Sequence, residues 1–358
     1  MAVACTGPLD AGRLARAFRT VISRHEVLRT TFAAGPDGSP VQLVHEQDGF
    51  ELPVTDLRST ADAGARVRER LAEEAHTPFD LASGPLLRAA LLRTGEQEHA
   101  LLLTVHHIAV DAWSVNVLLG EVEAAYRQAD GPAGAELPPL PVQYGDFAAW
   151  QRGRLDGAAY RESLDYWQQR LSGLTDTPPP ATATGRPEDG PGAGSHSLEL
   201  PADVTAGLRA LAARHRTTLF TVALAALQTL LHRYGCGEDP VVATPVGGRE
   251  RTELEGLVGC FVNTLLLRGD VSGEPTFADL LDRAAEATRR DFQHQEVPFE
   301  QLAARLRAGS PEGWRAPCWC STRPHRAALP ARPGRPPGPA NWCCARWTAP
   351  ARPTRSGI

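Results

Sequence analysis

The sequence predicts an α/β protein with two lobes, and three observations support this prediction. In both halves of the chain, short apolar segments typical of strands alternate with longer segments whose apolar residues recur at helical spacing. The length of 358 residues exceeds what one hydrophobic core usually covers. A stretch rich in Pro, Gly, Thr and Ala at 175–197 is predicted to form a long loop between the halves.

The first half is predicted to begin with a helix and to alternate strands and helices after it. Asp10 is suited to cap the first helix, because its carboxylate can accept a backbone N–H bond in the first turn. Ser114 is predicted to cap a later helix in the same way. The predicted elements are a helix after Asp10, a strand ending at Phe32, a strand at 41–45, a helix at 61–76, strands at 86–93 and 101–105, and a helix at 114–128.

The second half repeats this mixture of elements. Before it, the stretch YGDFAAW at 144–150 follows a Pro-rich segment and is interpreted as an aromatic helix anchor. The predicted elements are helices at 202–214, 219–234 and 276–294 and strands at 241–243 and 260–267. The domain prediction is a first lobe at 1–155, a second lobe at 156–310 and a separate tail at 311–358.

Charge and composition exclude several classes of protein. All 37 basic residues are arginine, and the chain has a net charge of −5. Because the tail carries eight arginines and one glutamate, residues 1–310 are strongly acidic, which argues against nucleic acid as a partner. The most apolar run, 220–231, contains Gln228 and is too short to span a bilayer. The N-terminus resembles no secretory signal, so a cytoplasmic protein without a membrane partner is expected.

The tail at 311–358 differs from the rest of the chain. It holds ten of the 30 prolines, four of the seven tryptophans and four of the seven cysteines, without helical or strand periodicity. We interpret it as an out-of-frame translation that begins soon after Arg307, with a natural disordered tail as the alternative. The pairs Cys318/Cys320 and Cys343/Cys344 lack the spacing of zinc ligands, and no metal site is predicted.

The stretch HHIAVDAWS at 106–114 is the strongest candidate for a reactive site. It follows a predicted buried strand, so the loop before the next helix would hold a histidine rigidly. A neutral imidazole can accept a proton near neutral pH. His107 is preferred over His106, because adjacent strand residues point to opposite faces. Asp111 could accept backbone N–H bonds or pair with an arginine. The motif has no serine or cysteine arranged as a nucleophile with the histidine, which favours direct transfer over a covalent acyl-enzyme.

Other interpretations of these residues stay open. The two histidines could be ordinary hydrogen-bonded residues, and a zinc site is a weaker alternative. Arg24 and Arg29 could be solvated charges beside a strand. Asn263 interrupts an apolar strand, so its amide needs a partner from the backbone or from a ligand.

Taken together, five segments resemble the motifs of the condensation domain of nonribosomal peptide synthetases. HHIAVDAWS is similar to the family's HHxxxDG motif, and RHEVLRTTF to its upstream arginine motif. YGDFAAW, VGCFVNTLLLR and HQEVPFE resemble three further motifs, in the family's order. The resemblance covers about residues 7–307.

This resemblance implies two lobes like chloramphenicol acetyltransferase, arranged as a V-shaped pseudodimer with an active-site tunnel between them. It implies an amide-forming acyltransferase, in which a carrier-bound amine attacks a carrier-bound aminoacyl or peptidyl thioester. The implied partners are donor and acceptor peptidyl carrier proteins and an adjacent adenylation domain, in pathways that make antibiotics and other secondary metabolites. It also implies that the domain itself binds no cofactor and that its substrates arrive on the carriers' 4'-phosphopantetheine.

Matched motif by motif, the resemblance assigns roles to individual residues. His107, His106 and Asp111 are the implied catalytic group, with His107 orienting or deprotonating the amine. Asp111 is expected to pair with Arg29, or with Arg24 as the other candidate. The substrate tunnel is expected to include the residues Trp113, Ser114, Asn263 and Thr264.

The sequence also departs from the family pattern. Ala112 replaces the motif glycine, and its Cβ would interfere if that position needs a positive φ or close substrate approach. The first and last family motifs are absent, so we expect a domain truncated at both ends. Two rival functions follow: a stand-alone acyltransferase acting on an alcohol or amine, and an inactive remnant or non-catalytic docking module.

Overall fold

The computed structural model describes residues 1–46, 49–128, 137–174, 198–308 and 343–346. The chain forms two compact units. Unit 1 combines Met1–Arg152 and Arg249–Phe261 with the described tail residues Cys343–Arg346, and unit 2 combines Gly153–Gly248 with the described residues from Val262 to Ala308. The predicted boundary after residue 155 is therefore close to the first break. The prediction that 156–310 form one lobe was wrong for Arg249–Phe261, because polar groups of unit 1 bind this segment.

Unit 1 contains a five-stranded sheet and a separate two-stranded hairpin. Its elements are β1 (Ala2–Thr6), α1 (Ala11–Arg24), β2 (Thr30–Ala34), β3 (Pro40–Val44), β4 (Val54–Asp56), α2 (Ala63–His76), β5 (Leu87–Arg93), β6 (Glu98–Val105), α3 (Ala112–Gln128), most of α4 (Tyr144–Arg154) and β9 (Cys343–Arg346). The strand order in the sheet is β4-β5-β6-β1-β9, and β2 pairs with β3 in the hairpin. All neighbouring strands of the sheet are antiparallel except β4 and β5.

The strand β6 leads directly into the candidate site at 106–114. Its side chains are buried on both faces of the sheet. Leu101 and Leu103 pack with Phe18 of α1 and with α3, whereas Leu102 packs on the other face against α2. This alternation follows from the two-residue period of a strand. Each fully buried leucine contributes about 2 kcal/mol from apolar burial. The end of β6 is thus held from both sides.

Unit 2 packs helices around one antiparallel pair of strands. Its elements are α5 (Ala158–Arg170), α6 (Ala202–Arg214), α7 (Leu219–Arg233), β7 (Val241–Val246), β8 (Asn263–Arg268), α8 (Phe277–Gln293) and α9 (Phe299–Ala308). The strand pair is β7 and β8. The core joins Trp167, Leu231 and Leu266 from three different elements. Thr276 and Asp279 form a reciprocal capping box at the start of α8.

The strongly periodic elements were predicted correctly, including α1, α2, α6, α7 and α8. The strand predicted to start at residue 260 instead begins at Asn263. No strand was predicted in the tail, whereas Cys343–Arg346 pairs with β1. The loop predicted at 175–197 and the rest of the tail lie outside the described residues. No helix in the described ranges is long and apolar enough to cross a membrane.

Candidate active site

The two histidines open a tight turn between β6 and α3. The backbone N–H of Ala109 donates to the His106 carbonyl at 3.0 Å, and that of Val110 donates to the His107 carbonyl at 3.3 Å. The prediction that the histidines are adjacent strand residues was therefore wrong, because β6 ends at Val105. The turn, rather than strand alternation, separates their side chains.

His106 is held within the turn. Its Nδ1 accepts a hydrogen bond from the backbone N–H of Ile108 at 3.0 Å, and its ring meets Phe79 edge-on at 5.7 Å. His107 is exposed, and its Nδ1 lies 3.5 Å from the Sγ of Cys260. The structure therefore gives His106 a structural environment and leaves the imidazole of His107 accessible.

Asp111 is buried and caps α3. Its side chain is 6% exposed, and its carboxylate accepts bonds from the backbone N–H of Ser114 at 2.7 Å and of Phe261 at 3.1 Å. The cap predicted at Ser114 is thus wrong by three residues, since Asp111 precedes the first helical residue. The hydroxyl of Ser114 is used elsewhere, in a bond to the carbonyl of Gly259 at 2.6 Å.

Arg249 is the cationic partner of Asp111. Its Nη2 lies 3.3 Å and 3.4 Å from the two carboxylate oxygens, and the guanidinium is only 3% exposed. The same guanidinium donates to the Ser114 hydroxyl at 2.7 Å and to the carbonyls of Leu254 and Leu257. Burial lowers the pKa of Arg249, while the charge of Asp111 acts in the opposite direction. The pair is held by several hydrogen bonds, as a buried ion pair requires.

The predicted pairing of Asp111 with Arg29 or Arg24 was therefore wrong. Arg29 instead donates to the carbonyl of His45, and Arg24 pairs with Glu121 at 3.1 Å. Arg29 is thus bound by His45, directly after β3, and Arg24 by α3, so neither pairs with Asp111. The sequence contained one signal for Arg249, because it follows the pair Gly247-Gly248 shortly after the strand predicted at 241–243. Nothing in that pattern identified its partner 138 residues earlier.

The segment Arg249–Phe261, here called the anchored segment, is fixed to unit 1 at several points. Gly259 donates its N–H to the Ser114 hydroxyl at 3.0 Å, and Val258 donates to Nδ1 of the buried His25 at 3.3 Å. Tyr144 donates its hydroxyl to the Cys260 carbonyl at 2.8 Å. Backbone groups on both sides of Cys260 are thus tied to the turn or to its neighbours.

Gly259 allows the closest approach within the anchored segment. A Cβ at this position would lie 2.3 Å from Cδ2 of Tyr144 and 2.6 Å from Cε2 of Phe261. The two rings pack edge-on at 5.2 Å around the glycine. This packing also shields the Tyr144 phenol partly from water. Burial therefore raises the pKa of Tyr144 to about 12, with a smaller contribution from Cys260 and Asp111.

Ala112 and Trp113 form the exposed start of α3. Ala112 is the first helical residue, so its backbone is in the right-handed region that any L-residue adopts. The concern that this position needs a positive φ is therefore not supported. Trp113 is 45% exposed, and its indole N–H donates to the carbonyl of Glu255 at 2.9 Å.

Asn263 and Thr264 lie in unit 2, at the start of β8. The amide of Asn263 donates to the carbonyls of Gln295 at 2.8 Å and Val297 at 2.7 Å. Its oxygen accepts the backbone N–H of Thr264 at 2.8 Å and of Phe299 at 3.0 Å. The amide therefore finds its partners in the backbone, and it joins β8 to the first turn of α9. The assignment of Asn263 and Thr264 to a substrate tunnel stays a prediction.

Cys260 is the residue that the sequence analysis missed. The motif around the histidines contained no nucleophile, but the anchored segment brings a thiol to His107. The two residues are 153 positions apart, so only the fold reveals the contact. Among the described residues, no group of three His, Cys, Asp or Glu side chains is placed to hold a metal ion.

Comparisons with known proteins show which family this chain resembles. A family model described as the condensation domain matches residues 1–312. The chain is 40% identical to chondramide synthase cmdD of Chondromyces crocatus over 85% of its own length, but over only 8% of that protein. It is also 42% identical to phosphinothricin tripeptide synthetase PhsB of Streptomyces viridochromogenes, over 84% of its length and 25% of that protein. The chain thus spans a small part of these curated relatives.

Solved structures of similar proteins include a condensation domain and an X-domain. The X-domain from teicoplanin biosynthesis is 32% identical, with a TM-score of 0.76, over 86% of this chain and 68% of that one. The first condensation domain of the CDA synthetase has a TM-score of 0.74 over 91% of this chain and 76% of that one. Its identity of 24% supports the fold alone. These likenesses confirm the predicted α/β fold class.

Proposed function

Because the chain belongs to the condensation-domain family, we propose that it catalyses the formation of an amide bond between two carrier-bound substrates. The donor is an aminoacyl or peptidyl thioester, and the acceptor is an amine; each is carried on the phosphopantetheine arm of a peptidyl carrier protein. An adenylation domain would load such carriers. The observation that carries the proposal is the exposed imidazole of His107, on a turn that the buried pair Asp111 and Arg249 fixes.

His107 is the group that acts on the substrate in this proposal. Its Nδ1 faces Cys260, so Nε2 is the nitrogen that would meet the acceptor amine. The amine nitrogen attacks the thioester carbonyl, the carbon–sulfur bond breaks, and the departing thiol receives the proton that the amine loses. His107 orients the amine or carries that proton, and holding both substrates together supplies a further part of the rate.

Asp111 and Arg249 act as positioning residues rather than as reacting groups. The Asp111 carboxylate is buried and engaged by two backbone N–H groups and a guanidinium. A carboxylate in this environment has no free face for a substrate. Its contribution is to fix the orientation of the turn that carries His107. A reactive side chain on a loop needs such support to keep its geometry.

The proposal is tested by combining the chain with one aminoacyl-loaded donor carrier and one aminoacyl-loaded acceptor carrier. Mass spectrometry of the acceptor carrier would detect the dipeptidyl product. We expect His107→Ala to lower the rate by at least about 100-fold, the size of a general-base contribution. His232→Ala, which changes an exposed histidine of unit 2, is the matched control and should retain the native rate. An unchanged rate in His107→Ala would contradict the catalytic role.

A second candidate function is that of a docking module for another protein. The observation that favours it is the likeness to the X-domain from teicoplanin biosynthesis, which has also been solved in complex with OxyB. Product formation that does not respond to His107→Ala, together with capture of a partner protein by the native chain, would favour this alternative over amide formation.

A further inference from the structure

The contact between Cys260 and His107 brings a nucleophile to the candidate base. The Sγ atom lies 3.5 Å from Nδ1, within hydrogen-bonding distance for sulfur. Cys260 is half-buried and His107 is exposed, so a small molecule can approach the pair. A thiol within hydrogen-bond reach of an imidazole is the arrangement that activates cysteine nucleophiles.

The backbone around Cys260 keeps the thiol in this position. The preceding residue, Gly259, exchanges two hydrogen bonds with the hydroxyl of Ser114, and the following residue, Phe261, donates its N–H to Asp111. The carbonyl of Cys260 itself accepts the hydroxyl of Tyr144. Three consecutive residues are thus fixed, so the contact with His107 does not depend on a mobile loop.

Charged groups of unit 1 other than His107 also lie near the thiol of Cys260. Arg249 favours a thiolate, whereas an ionised Tyr144 disfavours it. Arg249 and Asp111 form one ion pair, so their effects on a neighbouring charge largely cancel. Because burial raises the pKa of Tyr144 to about 12, its phenol is neutral at about pH 7. Transfer of the thiol proton to Nδ1 of His107 then gives a thiolate beside an imidazolium.

We propose that Cys260 is a covalent modification site for soft carbon electrophiles, with His107 as its activating base. For iodoacetamide, Sγ attacks the methylene carbon, the carbon–sulfur bond forms and the carbon–iodine bond breaks. Iodide leaves, and the thiol proton passes to Nδ1 of His107 and then to solvent. The adduct would lie against the imidazole, so modification would also block the turn that carries His107.

Two other cysteines of the described chain provide internal controls. Cys5 is 1% exposed, and its thiol faces the carbonyl of Val3. Cys236 is 3% exposed, and burial raises the pKa of its thiol. Both are buried more deeply than Cys260. In the native fold they should react slowly with the same reagent.

The test is a time course of iodoacetamide labelling of the full chain, with each cysteine-containing peptide quantified separately by mass spectrometry. At about pH 7 we expect Cys260 to react at least about tenfold faster than Cys5 and Cys236. His107→Ala should slow Cys260 about tenfold at that pH, and the difference should vanish near pH 10, where a thiol ionises without help. His232→Ala serves as the matched control and should label at the native rate.

Two results would overturn the proposal: labelling of Cys260 no faster than that of Cys5 and Cys236, or an equal rate in the native chain and His107→Ala at about pH 7. His107→Gln is a second variant, to be used if the alanine variant loses the native circular dichroism spectrum. The labelling reaction contains no carrier or thioester. Its outcome is therefore independent of whether the proposed amide-forming activity is observed.

Discussion

Two irregular segments of this protein are held by polar side chains that bind backbone groups, but by different chemistry. In unit 1, the anchored segment is tied to the histidine turn through the charged pair Asp111 and Arg249. In unit 2, the segment Gln295–Phe299 is tied to β8 by the neutral amide of Asn263. Both solutions satisfy buried backbone groups, as folded proteins generally require.

The difference shows how each holding side chain depends on its partners; Asp111 is here called the charged anchor and Asn263 the neutral anchor. Asn263 needs only backbone atoms, which no substitution other than proline removes. Asp111 needs the guanidinium of Arg249, because an isolated carboxylate at this depth would be too costly to keep ionised. Arg249, the partner of the charged anchor, also donates to the Ser114 hydroxyl of α3. The charged anchor therefore fixes its segment to a helix as well as to a turn. The same feature makes it more sensitive to the loss of one member.

The largest effect is expected from Asp111→Ala. It leaves the buried guanidinium of Arg249 without a counter-charge, and breaking such a pair costs about 3–5 kcal/mol in the free energy of unfolding. Urea denaturation would measure the loss. Asp62→Ala is the matched control, because Asp62 caps α2 through the N–H of Ala65 at 2.7 Å on an exposed surface. It should cost only about 1 kcal/mol. Equal losses in the two variants would show that Asp111 acts only as a cap.

Gly259→Ala tests how closely the anchored segment packs. The new Cβ would overlap the rings of Tyr144 and Phe261, so one of them must move. We expect a loss of about 1–3 kcal/mol, typical of overpacking. Gly256→Ala is the matched control three residues away, since a Cβ there meets no heavy atom within 4 Å. Thermal unfolding of both variants would check this, and equal midpoints would contradict the tight packing.

Asn263→Ala tests the neutral anchor of unit 2. It leaves the carbonyls of Gln295 and Val297 and the N–H of Phe299 without their partner, at a cost of about 2 kcal/mol in the free energy of unfolding. Urea denaturation would measure this loss as well. Asn116→Ala provides the control, because Asn116 is exposed and makes a single bond at 3.3 Å. A loss from Asn263→Ala as large as that from Asp111→Ala would remove the distinction between the charged and the neutral anchor.

The smallest effect concerns pH. Burial raises the pKa of Tyr144 to about 12 and also raises the pKa of Tyr166, beside Asp291 in unit 2. The unfolded chain releases a phenol proton near pH 10. The resulting stabilisation is therefore complete below about pH 10 and is lost as the pH rises toward 12.

Near-ultraviolet absorbance would follow phenolate formation with pH. Tyr144→Phe should remove from the curve a component that titrates at high pH. Tyr234→Phe, at an exposed site, is the comparison variant and should leave that component in place. Removal of an early-titrating component by Tyr144→Phe would contradict the burial of that phenol in the packing around Gly259.

Sequence patterns predicted the regular elements better than the site. Helices α1 and α8 have clear periodicity and recognisable caps, and their bounds were close. The strand β1 was missed, because AVACT contains few residues that favour strands. Helix α5 was also missed, although Tyr160, Leu164 and Trp167 recur at helical spacing and are buried.

The site contacts could not be predicted because they join distant residues. Local pattern left Asp111 with backbone N–H groups or an arginine as partners, and 37 arginines were available. The choice of Arg249 depends on how the chain returns to unit 1. The same return brings Cys260 to His107, which no pattern around either residue indicates. The motif was therefore correctly recognised, while its supporting residues required the fold.

The position of Arg249 in the chain has a consequence for biosynthesis. A ribosome that has completed α3 has already made Asp111 and both histidines, but their anchor lies 138 residues further along. The sheet and helices of the first 128 residues can pack during translation, since nascent chains fold from the N-terminus. The carboxylate of Asp111 then stays without its counter-ion until the chain beyond Phe261 has emerged. The polar contacts that hold the histidine turn are therefore completed late in translation.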